Sequence, residues 1–391
     1  MKRYTQFWML IGFLLILFGL AVGFWIVPDR SFSAEENRSL ATLPSFSGDR
    51  LLSGAYGEDW NDYYADQFPM RDFWVGQKGI AELLLGRGEN DGILLGDNGQ
   101  LARRLFDVKC ADGSVLDDTD TFDRAHVKKS VEGINRLAST LDIPFSLLLT
   151  GRTVDIAGSS FSYPSAPSEE LLKTIQHGLS SDVQTIETVP MLRECYENGE
   201  YVYYKTDHHW TTRGAYYAYC EVMRTFGMEN EIIPEDCFTK ETVSERFFGT
   251  LWSAGGMKFV EPDTVEIWHA DNENAFEILA DGRPLDGFYS MEKLDGKDHY
   301  SVFLDGVHDV VTVRKTDEAD RPVLLLLKDS FANSLSPFLA QHFDLVLLNL
   351  SSSKNDYTDV TYYAQKYGAD RLMLVYTVEN IITADKLTRL K

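Results

Sequence analysis

Two adjacent histidines follow an aspartate in the stretch TDHHWT at residues 206–211. The chain has only 8 histidines, so a pair beside an acidic residue is a candidate for chemistry. An imidazole can act as a general base or bind a metal ion, and a nearby carboxylate can orient it in either role. Three interpretations of Asp207, His208 and His209 are therefore open: a metal site, part of a catalytic triad, or a structural corner.

The nucleophile that a triad would need occurs in the later stretch PVLLLLKDSFANSL. A buried strand is predicted to end at Lys328, which places Ser330 at the turn into a helix. Ligands bind beyond the carboxyl ends of parallel strands, and the first N–H groups of a helix favour an oxyanion. Ser330 could instead cap that helix. Because Asp207 and His209 can supply a base and its orienting carboxylate, we favour Ser330 as the nucleophile.

A metal site is the weaker interpretation, because the side chains of adjacent histidines diverge and no HExxH or CxxC pattern supports it. We therefore predict neither a metal nor a cofactor. In the triad interpretation His208 points away from the site, into packing or a structural hydrogen bond. The sequence assigns no pairing to its cysteines, which are Cys110, Cys195, Cys220 and Cys237.

The elements that would position these residues alternate between helix and strand. Residues 124–142 have the pattern of an amphipathic helix, residues 143–151 that of a buried strand, and residues 211–227 that of a helix. Further strands are predicted at 322–328, 344–350 and 371–378. This alternation predicts an α/β fold with a parallel sheet flanked by helices.

Residues 231–320 interrupt that alternation with a β-rich insertion. Short β-like runs are expected there at 264–270, 299–306 and 309–315. Before the sheet, helices are predicted from about residue 53 and at 73–86, followed by a hairpin with an Asp97-Asn98-Gly99 turn. The predicted organisation is an anchor at 1–28, a lead and helical segment at 29–105, and a catalytic domain at 106–391.

The net charge of -23 argues against nucleic-acid binding, because an acidic surface repels phosphates. Lys2 and Arg3 precede an uncharged apolar run at residues 7–27. A run of that length can span a bilayer, and its basic flank should stay in the cytoplasm. A cleaved signal peptide is the alternative, although its apolar region is usually shorter. We expect a single-pass membrane protein whose catalytic domain lies outside the cytoplasm.

The motif TDHHWT with a later KDSF resembles the DHHW protein family. That family belongs with the SGNH/GDSL-like hydrolases and is similar to alginate O-acetyltransferase proteins of the AlgX and AlgJ type. In such relatives the Asp-x-His-Trp motif precedes the serine block, as it does here. Other segments that share the resemblance lie at 36–47, 66–74, 247–256 and 300–306.

The resemblance implies an O-acetyltransferase that acts on a cell-surface polysaccharide through an acetyl-serine at Ser330. A multi-pass membrane acyltransferase would supply the acetyl group. Two alternatives are an acetylesterase with the same triad and an inactive glycan-binding or scaffold protein of an envelope assembly complex.

The sequence departs from the related enzymes at two positions. Lys328 stands where a glycine is usual, and Val307 stands where an asparagine is expected. The Ser330 N–H is therefore the oxyanion donor that we predict. Residues expected to contact the substrate or its oxyanion are Arg152, Trp210 and Gly306.

Overall fold

The computed structural model describes residues 2–33, 35, 38–104, 108–109, 115–116, 123–162, 168–352 and 355–391. The chain divides into two compact units. The smaller unit comprises residues 1–87 with 256–258, and the larger comprises 88–255 with 259–391. The predicted domain boundary at 105/106 stays a prediction, since residues 105–107 lie outside the described residues.

The smaller unit is helical. Its helices are α1 (Lys2–Ile26), α2 (Gly48–Ser53), α3 (Ala55–Asp66) and α4 (Arg71–Leu84), and a short strand pair joins Phe32–Ser33 to Arg38–Ser39. Within α1, the stretch Tyr4–Ile26 is long and apolar enough to cross a membrane. At the end of α3, buried Asp66 accepts hydrogen bonds from the Arg38 guanidinium and the Ala41 N–H, which ties the helix to the preceding segment.

Eight strands of the larger unit form one sheet. In chain order they are β1 (Phe145–Thr150), β2 (Val183–Glu187), β3 (Phe276–Ala280), β4 (Arg283–Leu285), β5 (Val310–Lys315), β6 (Val323–Lys328), β7 (Asp344–Asn349) and β8 (Arg371–Thr377). Their order across the sheet is β4-β3-β5-β7-β6-β8-β1-β2. The five strands from β7 to β2 are parallel, and β5, β3 and β4 extend them in antiparallel pairing. The predicted α/β class with a largely parallel sheet is confirmed.

Helices lie on both faces of this sheet, and its central strands are apolar throughout because they are buried on both sides. The helices described in the larger unit are α5 (Arg124–Thr140), α6 (Thr153–Ile156), α7 (Glu169–Gly178), α8 (Val189–Glu197), α9 (Thr212–Thr225), α10 (Thr250–Gly255), α11 (Phe331–Leu339), α12 (Val360–Tyr367) and α13 (Val378–Thr383). Along the central strand β6, Leu324 and Leu326 pack with α9 and α11, whereas Leu325 and Leu327 pack with α5, α12 and α13. The end of β6 is therefore fixed from both sides.

The insertion at 231–320 is rich in strand, as predicted. It supplies β3 to β5 and a separate antiparallel pair, Thr239–Phe247 with Asp263–His269. The β-like run expected at 299–306 is wrong, because His299–Val302 is a 3-10 helix. Leu304, Asp305 and Gly306 then all have positive φ, which no strand can accommodate.

A short sheet precedes the main one. Ile93–Leu95 pairs with Leu101–Arg103 and with Glu89–Asn90. The predicted turn at Asp97–Gly99 joins the first two, and Asn98 and Gly99 adopt the positive φ that such turns need. A further pair joins Val108–Lys109 to Val115–Leu116. Cys195, Cys220 and Cys237 are free thiols; Cys110, and residues 36–37 of the segments that share the resemblance, lie outside the described residues.

Candidate active site

The TDHHW segment forms a tight reversal of the chain. Tyr203 and Trp210 face each other in an antiparallel bridge, and the Tyr204 N–H donates to the His209 carbonyl at 3.1 Å. Inside the reversal the His209 N–H donates to Asp207 Oδ1 at 3.1 Å. This local bond turns the Asp207 carboxylate toward the His209 ring, two positions further along the chain.

Asp207, His209 and Ser330 form one chain of hydrogen bonds. His209 Nδ1 lies 2.5 Å from Asp207 Oδ1, and His209 Nε2 lies 2.6 Å from Ser330 Oγ. A carboxylate can only accept, so Nδ1 carries the proton and Nε2 is left to accept the Ser330 hydroxyl. Asp207 and His209 are buried, whereas Ser330 is partly exposed. The arrangement has the geometry of a serine nucleophile with its base and orienting acid.

The second oxygen of Asp207 is held by the start of α10. Thr250 donates to Oδ2 from its N–H at 2.8 Å and from its hydroxyl at 3.0 Å. Gly249 permits this approach, because a Cβ there would collide with Asp207. Burial by itself would raise the pKa of Asp207, but the adjacent His208 and His209 rings and the Thr250 N–H hold it well below its usual range. Asp207 therefore stays ionised.

Ser330 lies between β6 and α11 with its hydroxyl turned away from the helix. Its side chain makes no capping bond, so the helix-cap alternative does not describe it. The side chain of Asp329 bonds to the start of the helix instead: its Oδ1 accepts the Phe331 N–H at 3.1 Å. Among the described residues the Ser330 N–H has no hydrogen-bond acceptor, and it lies at the N-terminus of α11. That N–H can therefore donate to an oxyanion.

Asp329 is a buried support of the serine turn. Its Oδ2 accepts the Thr377 N–H at 2.7 Å and the Asn380 amide at 2.9 Å. Burial raises the pKa of Asp329 even though these donors oppose the shift. The carboxylate thus joins β6 to the β8–α13 connection, behind the nucleophile.

A buried polar cluster supports the other side of the site. The Trp210 N–H donates to Ser334 Oγ at 2.8 Å, and the Tyr300 hydroxyl lies 2.9 Å from the same oxygen. The Tyr300 hydroxyl also donates to the Ser330 carbonyl at 3.1 Å. The hydroxyl of Ser334 on α11 thus joins the TDHHW segment to the insertion.

Asp263 holds the start of the TDHHW segment through hydrogen bonds. This carboxylate accepts the N–H groups of Lys205 and Thr206, at 2.8 and 2.7 Å, and the hydroxyls of Thr206 and Tyr201. Burial raises the pKa of Asp263, although the hydrogen bonds from these donors act in the opposite direction. Asp263 is the first residue of a strand in the insertion. The insertion therefore fixes Lys205 and Thr206, and with them Asp207, which follows Thr206 in the chain.

Lys328 does not bring its charge to the nucleophile. The residue is 2% exposed, and its Nζ donates to Asn333 Oδ1 at 2.6 Å. The Asn333 amide in turn donates to the Gly306 carbonyl at 2.9 Å. Burial lowers the pKa of Lys328 to about 8, with Asp329 acting in the opposite direction. The lysine that replaces the usual glycine thus links β6, α11 and the 304–306 turn.

The three predicted substrate contacts are engaged within the protein. Buried Arg152 interacts with Asp155 and with Ser168 Oγ, which lies 2.8 Å from its Nε. Trp210 is 0% exposed, so its ring offers no surface to a substrate. The Gly306 N–H donates to the Phe303 carbonyl at 3.1 Å, which leaves it unable to serve as a second oxyanion donor in this arrangement.

His208 was expected to point away from the site, but it lies against His209. The two ring centroids are 3.9 Å apart, and Nδ1 of His208 is 2.8 Å from Thr250 Oγ1. The expected structural hydrogen bond is therefore present, while the expected direction is wrong. Asp207, His208 and His209 place ligand atoms within 4.8 Å of one another, which suits a metal ion by distance. The hydrogen bonds already described use both nitrogens of His209 and both oxygens of Asp207, so the geometry favours the triad.

Sequence reasoning missed several residues that hold the site together: Thr250, Asp263, Tyr300 and Ser334. Two of them fall in segments that share the family resemblance, namely Thr250 in 247–256 and Tyr300 in 300–306. No local pattern singles out Asp263 or Ser334, because their partners are distant in the chain. Only the tertiary structure brings them to the triad.

Comparison with known proteins agrees with this architecture. Residues 168–349 match the family model described as DHHW protein, which confirms the resemblance over that part of the chain. The structure is similar to Bacillus cereus PatB1 with a sulfonyl adduct, with a TM-score of 0.62 and 20% identity over 76% of this chain and 98% of that chain. It is also similar to a DHHW family protein from Eubacterium siraeum DSM 15702, with a TM-score of 0.56 and 18% identity over the same shares, 76% and 98%. Both similarities support the fold. No curated protein matches the chain.

Proposed function

We propose that this protein is a serine-dependent O-acetyltransferase that acts on a cell-surface polysaccharide. The observation that carries the proposal is the unbroken chain of hydrogen bonds from Ser330 through His209 to Asp207, at the carboxyl end of the central strand β6. The same constellation is what acyl transfer through a covalent serine intermediate requires.

The first half-reaction forms an acetyl-serine. Ser330 Oγ attacks the carbonyl carbon of an acetyl ester while His209 Nε2 takes the hydroxyl proton. Asp207 holds the resulting imidazolium through Nδ1, and the Ser330 N–H at the start of α11 donates to the oxyanion. The tetrahedral intermediate then collapses, the bond to the donor oxygen breaks, and His209 returns its proton to that leaving oxygen.

The second half-reaction moves the acetyl group to a sugar. A hydroxyl of the acceptor gives its proton to His209 Nε2 and attacks the acetyl carbonyl. Collapse of the second intermediate breaks the bond to Ser330 Oγ, which recovers the proton from His209. The products are an O-acetylated sugar and the free serine. In both halves Ser330 would be the nucleophile, His209 the base and Asp207 the orienting acid.

The proposed location is the outer side of a cell membrane. Helix α1 would anchor the chain, with Lys2 and Arg3 on the cytoplasmic side and the larger unit outside. In this position the acetyl donor must cross the bilayer. A multi-pass membrane acyltransferase is the partner that would deliver it. Arg152 stays a proposed substrate contact only if its ion pair with Asp155 rearranges during turnover.

An acetylesterase would use the same three residues, with water in place of the sugar hydroxyl. An inactive scaffold would not need them aligned, and the closed chain of hydrogen bonds favours an enzyme over that alternative. Transferase and esterase differ only in what attacks the acyl-enzyme, so the acceptor decides between them.

The test uses the full chain in detergent micelles with a chromogenic acetyl ester. Intact-mass spectrometry should detect one added acetyl group on the wild type and none on Ser330→Ala. His209→Ala should lower the rate of adduct formation by several orders of magnitude. Adding oligosaccharides should then move acetyl from the serine to sugar in the transferase, whereas the esterase would release acetate at an unchanged rate.

Folding is checked in the same samples. Ser330 Oγ has one hydrogen-bond partner among the described residues, which is His209, so Ser330→Ala should melt within a few degrees of the wild type. Equal adduct formation in the wild type and a folded Ser330→Ala would refute the proposal.

A further inference from the structure

His208 is the histidine of the TDHHW segment that the proposed acyl-transfer chemistry does not use. Its side chain is 39% exposed, whereas that of His209 beside it is 7% exposed. The two rings are inclined by 37° with centroids 3.9 Å apart. A second imidazole therefore reaches solvent immediately next to the proposed catalytic base.

The hydrogen bonds around Thr250 fix which nitrogen of His208 carries a proton. The Thr250 hydroxyl lies 3.0 Å from Asp207 Oδ2, and a carboxylate accepts but cannot donate, so the hydroxyl hydrogen is directed to Asp207. Thr250 Oγ1 must then accept from His208, whose Nδ1 is 2.8 Å away. With Nδ1 protonated in the neutral ring, Nε2 of His208 presents a lone pair. Loss of hydration and the neighbouring His209 lower the pKa of His208 although Asp207 opposes the shift, and this direction agrees with the neutral form.

Both rings of the histidine pair have the same orientation relative to Asp207. Asp207 Oδ1 is 2.5 Å from Nδ1 of His209 and 3.5 Å from Nδ1 of His208. Because both Nδ1 atoms face this oxygen, the Nε2 atom of each ring lies on the part of the ring that is farther from it, and the two rings lie against each other. Nε2 of His209 meets Ser330, and Nε2 of His208 has no hydrogen-bond partner among the described residues. An unused acceptor thus lies on the ring that neighbours the proposed base.

We infer that His208 is an acceptor-binding residue whose Nε2 accepts a hydrogen bond from a second hydroxyl of the sugar, adjacent to the hydroxyl that receives the acetyl group. The inference rests on the proposed function and names its substrate class, a vicinal diol. One imidazole takes the proton of the attacking hydroxyl, and the other holds the neighbouring hydroxyl. A single alcohol, or water, can engage only the first of the two.

The test compares two acceptors of the same ring size, trans-cyclohexane-1,2-diol and cyclohexanol, with the full chain and a chromogenic acetyl ester. The measured quantity is the ratio of acetyl transfer to the diol and to the alcohol, per hydroxyl, within each protein variant. The wild type should prefer the diol by about two- to twelvefold, the effect of one neutral hydrogen bond. His208→Phe should bring the ratio close to one. Because each ratio is internal to a variant, a change in acylation rate cancels.

Two further variants keep the test decisive. His208→Gln places an amide oxygen near the position of Nε2 and should recover part of the preference, including in the case where His208→Phe does not fold. His177→Phe, an exposed histidine on α7, should keep the wild-type ratio. A wild type that forms the acetyl-serine but shows no preference for the diol, or an unchanged diol preference in a folded His208→Phe that acylates normally, would overturn the inference. Failure of the wild type to form an acetyl-serine would instead refute the proposed function, and the mass measurement separates the two results.

Discussion

The imidazole of His209 lies flat against the ring of Tyr300, with centroids 3.7 Å apart and planes inclined by 8°. The Tyr300 hydroxyl reaches past the imidazole to the Ser330 carbonyl and to Ser334. Burial keeps the pKa of Tyr300 well above its usual range, so this hydroxyl remains a donor. One side chain therefore fixes the plane of the proposed base and the backbone of the proposed nucleophile together.

Replacing Tyr300 should separate these two effects. Tyr300→Phe keeps the stacked ring and loses the hydroxyl contacts, so the free energy of unfolding should fall by about 1–3 kcal/mol with a modest loss of activity. Tyr300→Leu also removes the flat aromatic surface, and acetyl-ester turnover should fall further than stability does. Urea unfolding and turnover of the chromogenic ester measure both quantities. Equal turnover in the two variants would show that the stacking has no role in orienting His209.

Asp207→Asn should lower turnover by about three to four orders of magnitude, as loss of the orienting carboxylate does in other triads. An asparagine at this position can donate to His209 Nδ1, which would force the proton onto Nε2 and leave no acceptor for Ser330. Single-turnover kinetics with the chromogenic ester measure the effect, and a melting curve verifies folding. Near-normal turnover in folded Asp207→Asn would mean that His209 does not work as the base.

Lys328 should make the free energy of unfolding increase as the pH rises through the alkaline range. Its pKa is about 8 in the folded protein and about 10.5 in the unfolded chain, so the unfolded chain binds more protons between these values and stability rises with pH across them. Relative to Lys328→Met, the free energy of unfolding of the wild type should improve by about 2 kcal/mol from pH 7 to pH 10. Tyrosine titration is common to both proteins and cancels in the difference. Parallel urea titrations of the two would show a constant offset if the lysine were not perturbed.

Removal of metal should leave turnover unchanged. The nitrogens of His209 and the oxygens of Asp207 are already used in hydrogen bonds, and a divalent cation would have to break the bond between His209 and Asp207. Acetyl-ester turnover before and after extended dialysis against EDTA tests this expectation. A loss of activity that Zn²⁺ restores would favour the metal interpretation of Asp207, His208 and His209.

The sequence alone identified the three residues that the structure brings together. Asp207 and His209 are recognisable because they lie two positions apart in a short motif, and Ser330 is recognisable because it follows an apolar strand that can only be buried. The helices and parallel strands followed from the same kind of local pattern. Such features depend on neighbours in the chain, and a pattern of residues records them directly.

Tertiary structure decided the surroundings of the triad. The direction of the His208 ring depends on its hydrogen bond with Thr250, a residue of the insertion. The position of Thr206 depends on Asp263, which lies 57 residues further along the chain. The burial of Lys328 depends on Asn333 and on the Gly306 turn. These are hydrogen bonds between distant segments, and their energies are set by burial that only the folded chain creates. For that reason the expected direction of His208 was wrong. The observed placement of its ring is also the basis for the inference that His208 binds the acceptor.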